Sequence, residues 1–246
     1  MTRREFGLAA GVLLGLAALL HFVHYLIFRD AHHVFIYLMG DIAFLPVDIL
    51  VLVLIVERVL ADRERRARAH KLNMVIGAFF SELGRPLLQG LDRCAGPDDS
   101  LRGLLGVDMH WTERQLRDAM AKVGAVDVAM APAPSDLSQL RELLKTNRAF
   151  LLSLLENPSL MEHESFTDCL WGVFHLCEEL EARTDLTALP ATDMHHLATD
   201  ARRAYQALLV QWLQYMLHLK QDYPYLFSFA ARTNPFRPDA SVEVVQ

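Results

Sequence analysis

Two apolar runs, Phe6 to Phe28 and Val34 to Val56, constrain this chain more than any other feature. Each is 23 residues long. At about 1.5 Å of rise per helical residue, either reaches across a hydrocarbon core of roughly 30 Å. The residues between them, Arg29-Asp30-Ala31-His32-His33, suit only a tight reversal. The expected architecture is all-α: a two-helix transmembrane hairpin followed by a cytoplasmic helical bundle. The chain divides accordingly into a hairpin at 1–58 (spans about 6–28 and 34–56) and a juxtamembrane helix at 59–92 continuing the second span. A helical bundle at 93–237 and a disordered tail at 238–246 follow.

The first run contains no Asp, Glu, Lys or Arg, and its polar side chains, His21, His24 and Tyr25, sit in its outer third. Gly7, Gly11 and Gly15 recur every fourth residue, and Ala18 continues their face. Such a stripe lets helix backbones approach closely in lipid, against the second span or against another copy of the chain. Gly and Ala are also simply common in membrane helices. The second run carries Asp41, Pro46 and Asp48. Pro46 removes a backbone donor and is expected to kink the helix. A carboxylate at membrane depth costs several kcal/mol and turns toward protein or a water-filled cavity. For Asp41 and Asp48 a functional role and a structural hydrogen bond both stay open. In a hairpin centred on Ala31, His21 and Asp41 fall at equal depth and could pair, although His21 is rotated well away from the glycine stripe; the alternative is that Asp41 bonds within another protomer.

Basic residues set the expected orientation. Arg3 and Arg4 precede the first run, and Arg58, Arg63, Arg65, Arg66, Arg68 and Lys71 follow the second. The connection offers only Arg29 against Asp30. The positive-inside rule then places both termini in the cytoplasm, in a multi-pass protein of the inner (plasma) membrane. Arg3-Arg4 faintly resembles a twin-arginine export signal, but no small-residue cleavage site follows the first run. The formal net charge of −6 argues against nucleic acid as a partner of the whole domain. The juxtamembrane basic cluster is better matched to anionic lipid headgroups. Cys94, Cys169 and Cys177 are odd in number and form no C-x-x-C pair, which fits a reducing compartment rather than a disulfide scaffold.

Beyond Glu57 the helical period dominates. Leu72, Val75, Ile76, Phe79, Phe80 and Leu83 share one face. The helix they form is expected to end near Gly84-Arg85-Pro86 or shortly after. Gly96-Pro97-Asp98-Asp99 is a turn, and Leu101 to Leu105 a short helical piece. Thr112 with Gln115 forms a capping box that opens a helix to Val123. Val126 to Met130 reads as helical or extended, and Ala131-Pro132-Ala133-Pro134 as a stiff connector. Ser135 is expected to cap a helix to about Glu156. Ser159 with Glu162 would cap another to about Arg183, and Thr192 a long one to about Asp222. In the last, Ala201, Tyr205, Leu208, Trp212, Tyr215 and Leu219 form a bundle seam. Pro224 is expected to end it. Tyr225, Leu226, Phe227 and Phe229 then dock on the bundle or on a membrane surface.

Several stretches carry a resemblance. They are Phe35 to Pro46, Lys71 to Glu82, Leu155 to Leu160, Tyr223 to Phe227 and Arg232 to Phe236. Together they resemble a family of uncharacterised prokaryotic membrane proteins with two N-terminal spans and a helical cytoplasmic region. The resemblance covers most of the chain and implies the topology derived above. It implies no activity, cofactor or catalytic residue.

Candidate chemistry is sparse. His21, His24, His32 and His33, with Asp30 and Asp41, have donor types that borderline metals accept, but two of the histidines fall in the connection. His175 with Glu178, and Asp193 with His196, each share a helix face, yet solvated faces and caps explain them better. No phosphate-binding loop, dinucleotide fingerprint or H-E-x-x-H is present. No catalytic, cofactor-binding or metal residue is therefore assigned, and no cofactor is expected. The expected function is that of a non-enzymatic membrane protein, with a helical domain that binds an unknown protein partner or senses membrane state. Alternatives are an oligomeric pore or transport component using Asp41, Pro46 and Asp48, and a membrane-bound enzyme with an unrecognised site. A homo-oligomer is compatible with the glycine stripe.

Overall fold

The computed structural model describes the backbone of residues 3–96, 98–160 and 163–243, without the side chains at 3, 4, 6, 9, 10, 31, 33, 65–70 and 159. Among the described residues the chain is all-α, as its sequence demands. The only extended pairing among them is an isolated antiparallel bridge between Ala95 and Met130. The chain forms two compact units, Met1–Arg65 and Arg66–Gln246.

The first unit holds α1 (Arg3–Phe28) and the first part of α2 (Ala31–Phe79). The reversal needs two residues. Arg29 adopts φ 50°, and the Asp30 carboxylate accepts the His32 N–H at 2.9 Å. That bond satisfies a donor of the first turn, so His32 and His33 open α2 instead of lying in the connection. Pro46 lies inside α2 without ending it. Of the described side chains between Gly11 and Glu64, only His24, Val34 and Leu38 are partly covered, and the rest stand exposed. Both helices are long and apolar enough to cross a membrane. Among the described residues, α2 makes no close contact with the glycine stripe. Among the described residues nothing lies within 4 Å of a Cβ built on Gly7, Gly11 or Gly15.

The second unit begins where α2 acquires a buried face. Leu72, Ile76 and Phe79 are covered, and a π-helical turn, Phe80–Gly84, leads directly into α3 (Arg85–Cys94). The expected stop at Gly84-Arg85-Pro86 is a change of register instead. The Arg85 N–H donates to the Phe80 carbonyl, and Pro86, which has no N–H, occupies the first turn of α3, where none is required. Gly84 is needed there. A Cβ would stand 2.5 Å from Phe80 Cδ1 and 2.9 Å from Phe79 Cε1.

Next come α4 (Asp99–Leu105) and α5 (Glu113–Val123), the latter opened by the Thr112–Gln115 capping box. The helix expected from Ser135 to Glu156 is two helices. Pro134 takes the first position of α6 (Pro134–Thr146), and the Asp136 carboxylate accepts the Ala133 N–H, so Ser135 is not the cap. The Asn147 side chain donates to the Leu143 carbonyl at 2.9 Å and ends α6, after which α7 (Arg148–Leu155) begins. The proposed Ser159–Glu162 cap falls on residues whose side chains lie outside those described. It is His163 whose ring accepts the Phe166 N–H at the start of α8 (Glu164–Ala182). α9 (Ala191–Asp222) follows Pro190 with no side-chain cap, so Thr192 does not serve as one. Pro224 opens another helix, α10 (Pro224–Arg232), besides ending α9. Beyond Pro238, where the sequence suggests no order, the Ser241 N–H donates to the Arg232 carbonyl at 2.9 Å and Arg232 donates to the Val242 carbonyl.

The core is apolar and aromatic. Along α9, Ala201, Tyr205, Leu208, Trp212 and Leu219 are buried in the expected seam, while Tyr215 is half-buried. Phe79 meets Phe80 and Phe166 edge-on, and Phe80 meets Trp212 the same way at 5.4 Å. All three cysteines are free and buried. Burial pushes the Cys94 thiol up to about 12 and the Cys177 thiol up to about 11, and raises that of Cys169. Since the thiolate is the nucleophile, iodoacetamide at pH 8 is expected to leave all three unmodified in the folded protein and to alkylate all three in denaturant, read by intact mass.

Candidate functional site

The best-formed cavity lies in the second unit, against the register change between α2 and α3. Its volume is about 390 Å³. One wall is α2 and the π turn, with Asn73, Met74, Gly77 and Ser81; the other is formed by α9 and α10, with Tyr215, Leu219, Leu226 and Phe229. The lining is mostly apolar, with a few polar groups converging on it. Asn73 Nδ2 and His218 Nδ1 are 3.0 Å apart, and His218 Nδ1 lies 2.8 Å from the Asp222 carboxylate. At the other side Arg85 donates to Thr233 Oγ1 at 3.1 Å and lies 5.6 Å over the Phe229 ring. Its guanidinium has five N–H donors, so capacity remains for an anionic group. Tyr215 stacks on Phe80, and desolvation raises its phenol above the ordinary range. Apolar walls with few oriented polar groups are the usual make-up of a small-molecule site. π turns, which recur at functional sites, add to the case.

The sequence singled out none of these groups as a site. Asn73 and His218 are 145 residues apart. The one local signal is Gly84-Arg85-Pro86, which reads as a helix end.

The residues singled out by sequence are distributed differently. His21, His24 and Asp41 line one small cleft in the first unit, with Leu20, Val34 and Tyr37. His21 Nδ1 is 3.0 Å from the Ala17 carbonyl of its own helix. His24 and Tyr37 approach ring to ring at 6.0 Å. Asp48 and Pro46 lie outside that cleft, exposed on α2. Arg58, Arg63 and Lys71 are exposed along α2, while the side chains of Arg65, Arg66 and Arg68 lie outside those described.

The two histidine pairs noted on α8 and α9 are partnered differently from the sequence reading. Glu178 faces Arg148 at 3.5 Å, and Asp193 binds Arg183 through both oxygens, at 2.6 and 2.8 Å. His175 and His196 turn instead to Glu179 and Asp200. The Arg183 hydrogen bond holds the Glu179 carboxyl below the usual carboxylate range, and another does the same for Asp193.

The comparisons with known proteins agree with the two-part layout. Residues 4–60 match a family model described as "MJ1433, N-terminal helical domain", and residues 68–232 match "Uncharacterized protein MJ1433, C-terminal helical domain". The chain is 39% identical over 234 residues to "Uncharacterized protein MJ1433" of Methanocaldococcus jannaschii, covering 95% of this chain and 94% of that one. No solved structure matches.

Proposed function

The chain belongs to the MJ1433 family, with its N-terminal and C-terminal helical domains, and we propose that the first domain anchors the protein in a membrane and the second binds a small amphiphilic ligand. The anchor reading rests on two helices whose apolar side chains are almost all exposed. Soluble proteins rarely leave so large an apolar surface uncovered. In this reading the hairpin spans the inner membrane with both termini cytoplasmic. Arg58, Arg63, Arg65, Arg66, Arg68 and Lys71 then lie against anionic headgroups, each contributing about 1 kcal/mol near the surface. His21, His24, Asp41 and Asp48 lie at membrane depth, where each polar group needs a partner.

The observation that carries the ligand reading is the cavity of about 390 Å³ with Arg85 at its edge. Its volume and apolar walls suit a short acyl or isoprenoid-like chain, and the guanidinium suits a carboxylate or phosphate head. A ligand of that kind partitions into membranes, so a domain tethered beside the bilayer samples it directly.

The test uses the full-length protein in proteoliposomes with a photoreactive fatty acid. Labelled peptides are expected from residues 73–85 and 215–230. Gly77→Trp fills the cavity, and its position is permissive, the nearest atom to a Cβ there being 3.7 Å away on Tyr215. Labelling of those peptides should fall about tenfold in Gly77→Trp or Arg85→Gln, as expected for loss of a charged hydrogen bond or of the space itself. Equal labelling in wild type and both variants would sink the ligand reading.

A further inference from the structure

We propose that His175, Glu179, His196 and Asp200 form a binding site for one divalent first-row transition metal, with zinc the natural occupant, joining α8 to α9. The local geometry starts with spacing. On α8, His175 and Glu179 are four residues apart; on α9, His196 and Asp200 are four apart. Side chains at that spacing stand one above the other on a helix. The two helices run antiparallel, so each histidine faces the other helix's carboxylate. His175 Nε2 lies 3.5 Å from Asp200 Oδ2, and His196 Nε2 lies 3.6 Å from Glu179 Oε2.

The distances, which also fall within ion-pair range, fit a metal site. Along each helix, His196 Nε2 is 3.3 Å from Asp200 Oδ2 and His175 Nε2 is 3.9 Å from Glu179 Oε1. All four separations exceed the roughly 2.7–3.2 Å of an N–H···O hydrogen bond. The three that share one set of donor atoms, 3.3, 3.5 and 3.6 Å, lie near the edge of a tetrahedron, roughly 3.4 Å, for nitrogen and oxygen ligands about 2.1 Å from zinc, while the 3.9 Å separation involves the other Glu179 oxygen. Donor atoms of Glu179, His196 and Asp200 all lie within 4.8 Å of one another, and His175 Nε2 stands beside this trio, 3.5 Å from Asp200 Oδ2.

A second observation points to a ligand independently. Asp200 is 3% exposed, and its Oδ2, aimed between the two imidazoles, has no hydrogen-bond partner. A buried carboxylate oxygen left without a hydrogen bond is costly, and a bound cation would supply the missing partner. The outer contacts also suit a metal. Arg203 holds Asp200 Oδ1 at 3.1 Å and Arg183 holds Glu179 Oε2 at 2.7 Å, orienting both carboxylates as second-layer partners do. With neutral imidazoles, three carboxylates (Glu179, Asp193, Asp200) face two guanidiniums (Arg183, Arg203), and the residual negative charge favours a cation. Two imidazoles select transition metals over calcium and magnesium, which prefer oxygen. The histidine side chains are 46% and 51% exposed, so the metal reaches the site without unfolding.

The test takes full-length protein in detergent, stripped with a chelator, and titrates it with zinc chloride alone. One zinc per chain is expected, with a rise in the melting temperature. Cobalt in its place should give the intense visible absorption of a four-coordinate site. Asp200→Asn keeps the shape of the buried side chain, and the double variant His175→Ala/His196→Ala alters only half-exposed positions. Either should keep the metal-free melting temperature within a few degrees. Either should also weaken zinc binding by more than about a hundredfold, since losing a ligand exceeds the loss of a second-layer partner. Equal zinc affinity in wild type and both variants would show adventitious binding at other histidines only and overturn the site, as would no binding at all.

Discussion

Trp212→Ala is expected to destabilise the second unit by about 3–5 kcal/mol, whereas Trp212→Phe should cost less than about 1.5 kcal/mol. Trp212 is fully buried at the centre of the α9 seam, edge-on to Phe80 and tilted against Tyr215 at 6.0 Å. Truncation to Ala removes those ring contacts and leaves a cavity in a close-packed core. Phe retains most of the volume. It also discards the indole N–H, which is buried without a hydrogen-bond partner and so already carries a desolvation cost. Denaturant unfolding of the detergent-solubilised chain, followed by far-ultraviolet circular dichroism, separates the two substitutions. A loss for Phe as large as that for Ala would mean that the indole nitrogen is engaged.

Asn234→Leu is expected to cost about 3 kcal/mol or more although it adds apolar surface to an apolar site, because it leaves buried polar groups unpaired. Asn234 is wholly buried. Its amide donates to the Leu105 carbonyl at 2.7 Å and to the Val107 carbonyl at 3.1 Å, and its oxygen accepts the Phe236 N–H at 3.2 Å. One side chain thus ties the end of α4 to the segment after α10. Leu leaves the Val107 carbonyl and the Phe236 N–H without these partners and strips one of two donors from the Leu105 carbonyl, which keeps the Val107 N–H. Asn234→Asp keeps the oxygen that serves Phe236 but turns a carboxylate oxygen toward two carbonyl oxygens. Only the protonated carboxyl can donate there, so the stability of this variant should fall as pH rises. A pH-independent melting temperature for Asn234→Asp would contradict this arrangement.

Several elements were legible because their causes lie within one or two helical turns. The capping box at Thr112 and Gln115 uses groups three residues apart, and the sequence locates it without error. The buried faces of α8 and α9 follow from apolar spacing alone. Other boundaries were misread where two local signals competed. At Ser135 a proline in the first helical position displaced the hydroxyl, and at Asn147 an amide took a carbonyl from the helix it would have continued. Pro224 ends α9 as expected, and the same fixed φ also begins α10.

The candidate sites were not legible, for a different reason. A residue three or four positions after His175 lies near it on the helix surface, so Glu178 and Glu179 are equivalent partners in sequence. Packing of α9 against α8 turns Glu179 toward His196 and leaves Glu178 to Arg148. The glycine stripe is legible as a small-residue face, but only the structure shows that, among the described residues, none of α2 comes within 4 Å of it.

What the sequence by itself determined is therefore the helical class, the two long apolar helices and the faces that go inward, because length, period and capping act locally. What only the tertiary structure decided is the cavity beside the π turn, the four-residue cluster on α8 and α9 and the partners of each buried polar group. These depend on the register between helices distant in the chain. A shift of one residue turns a helix by about 100° and replaces every cross-helix partner while leaving the local pattern unchanged.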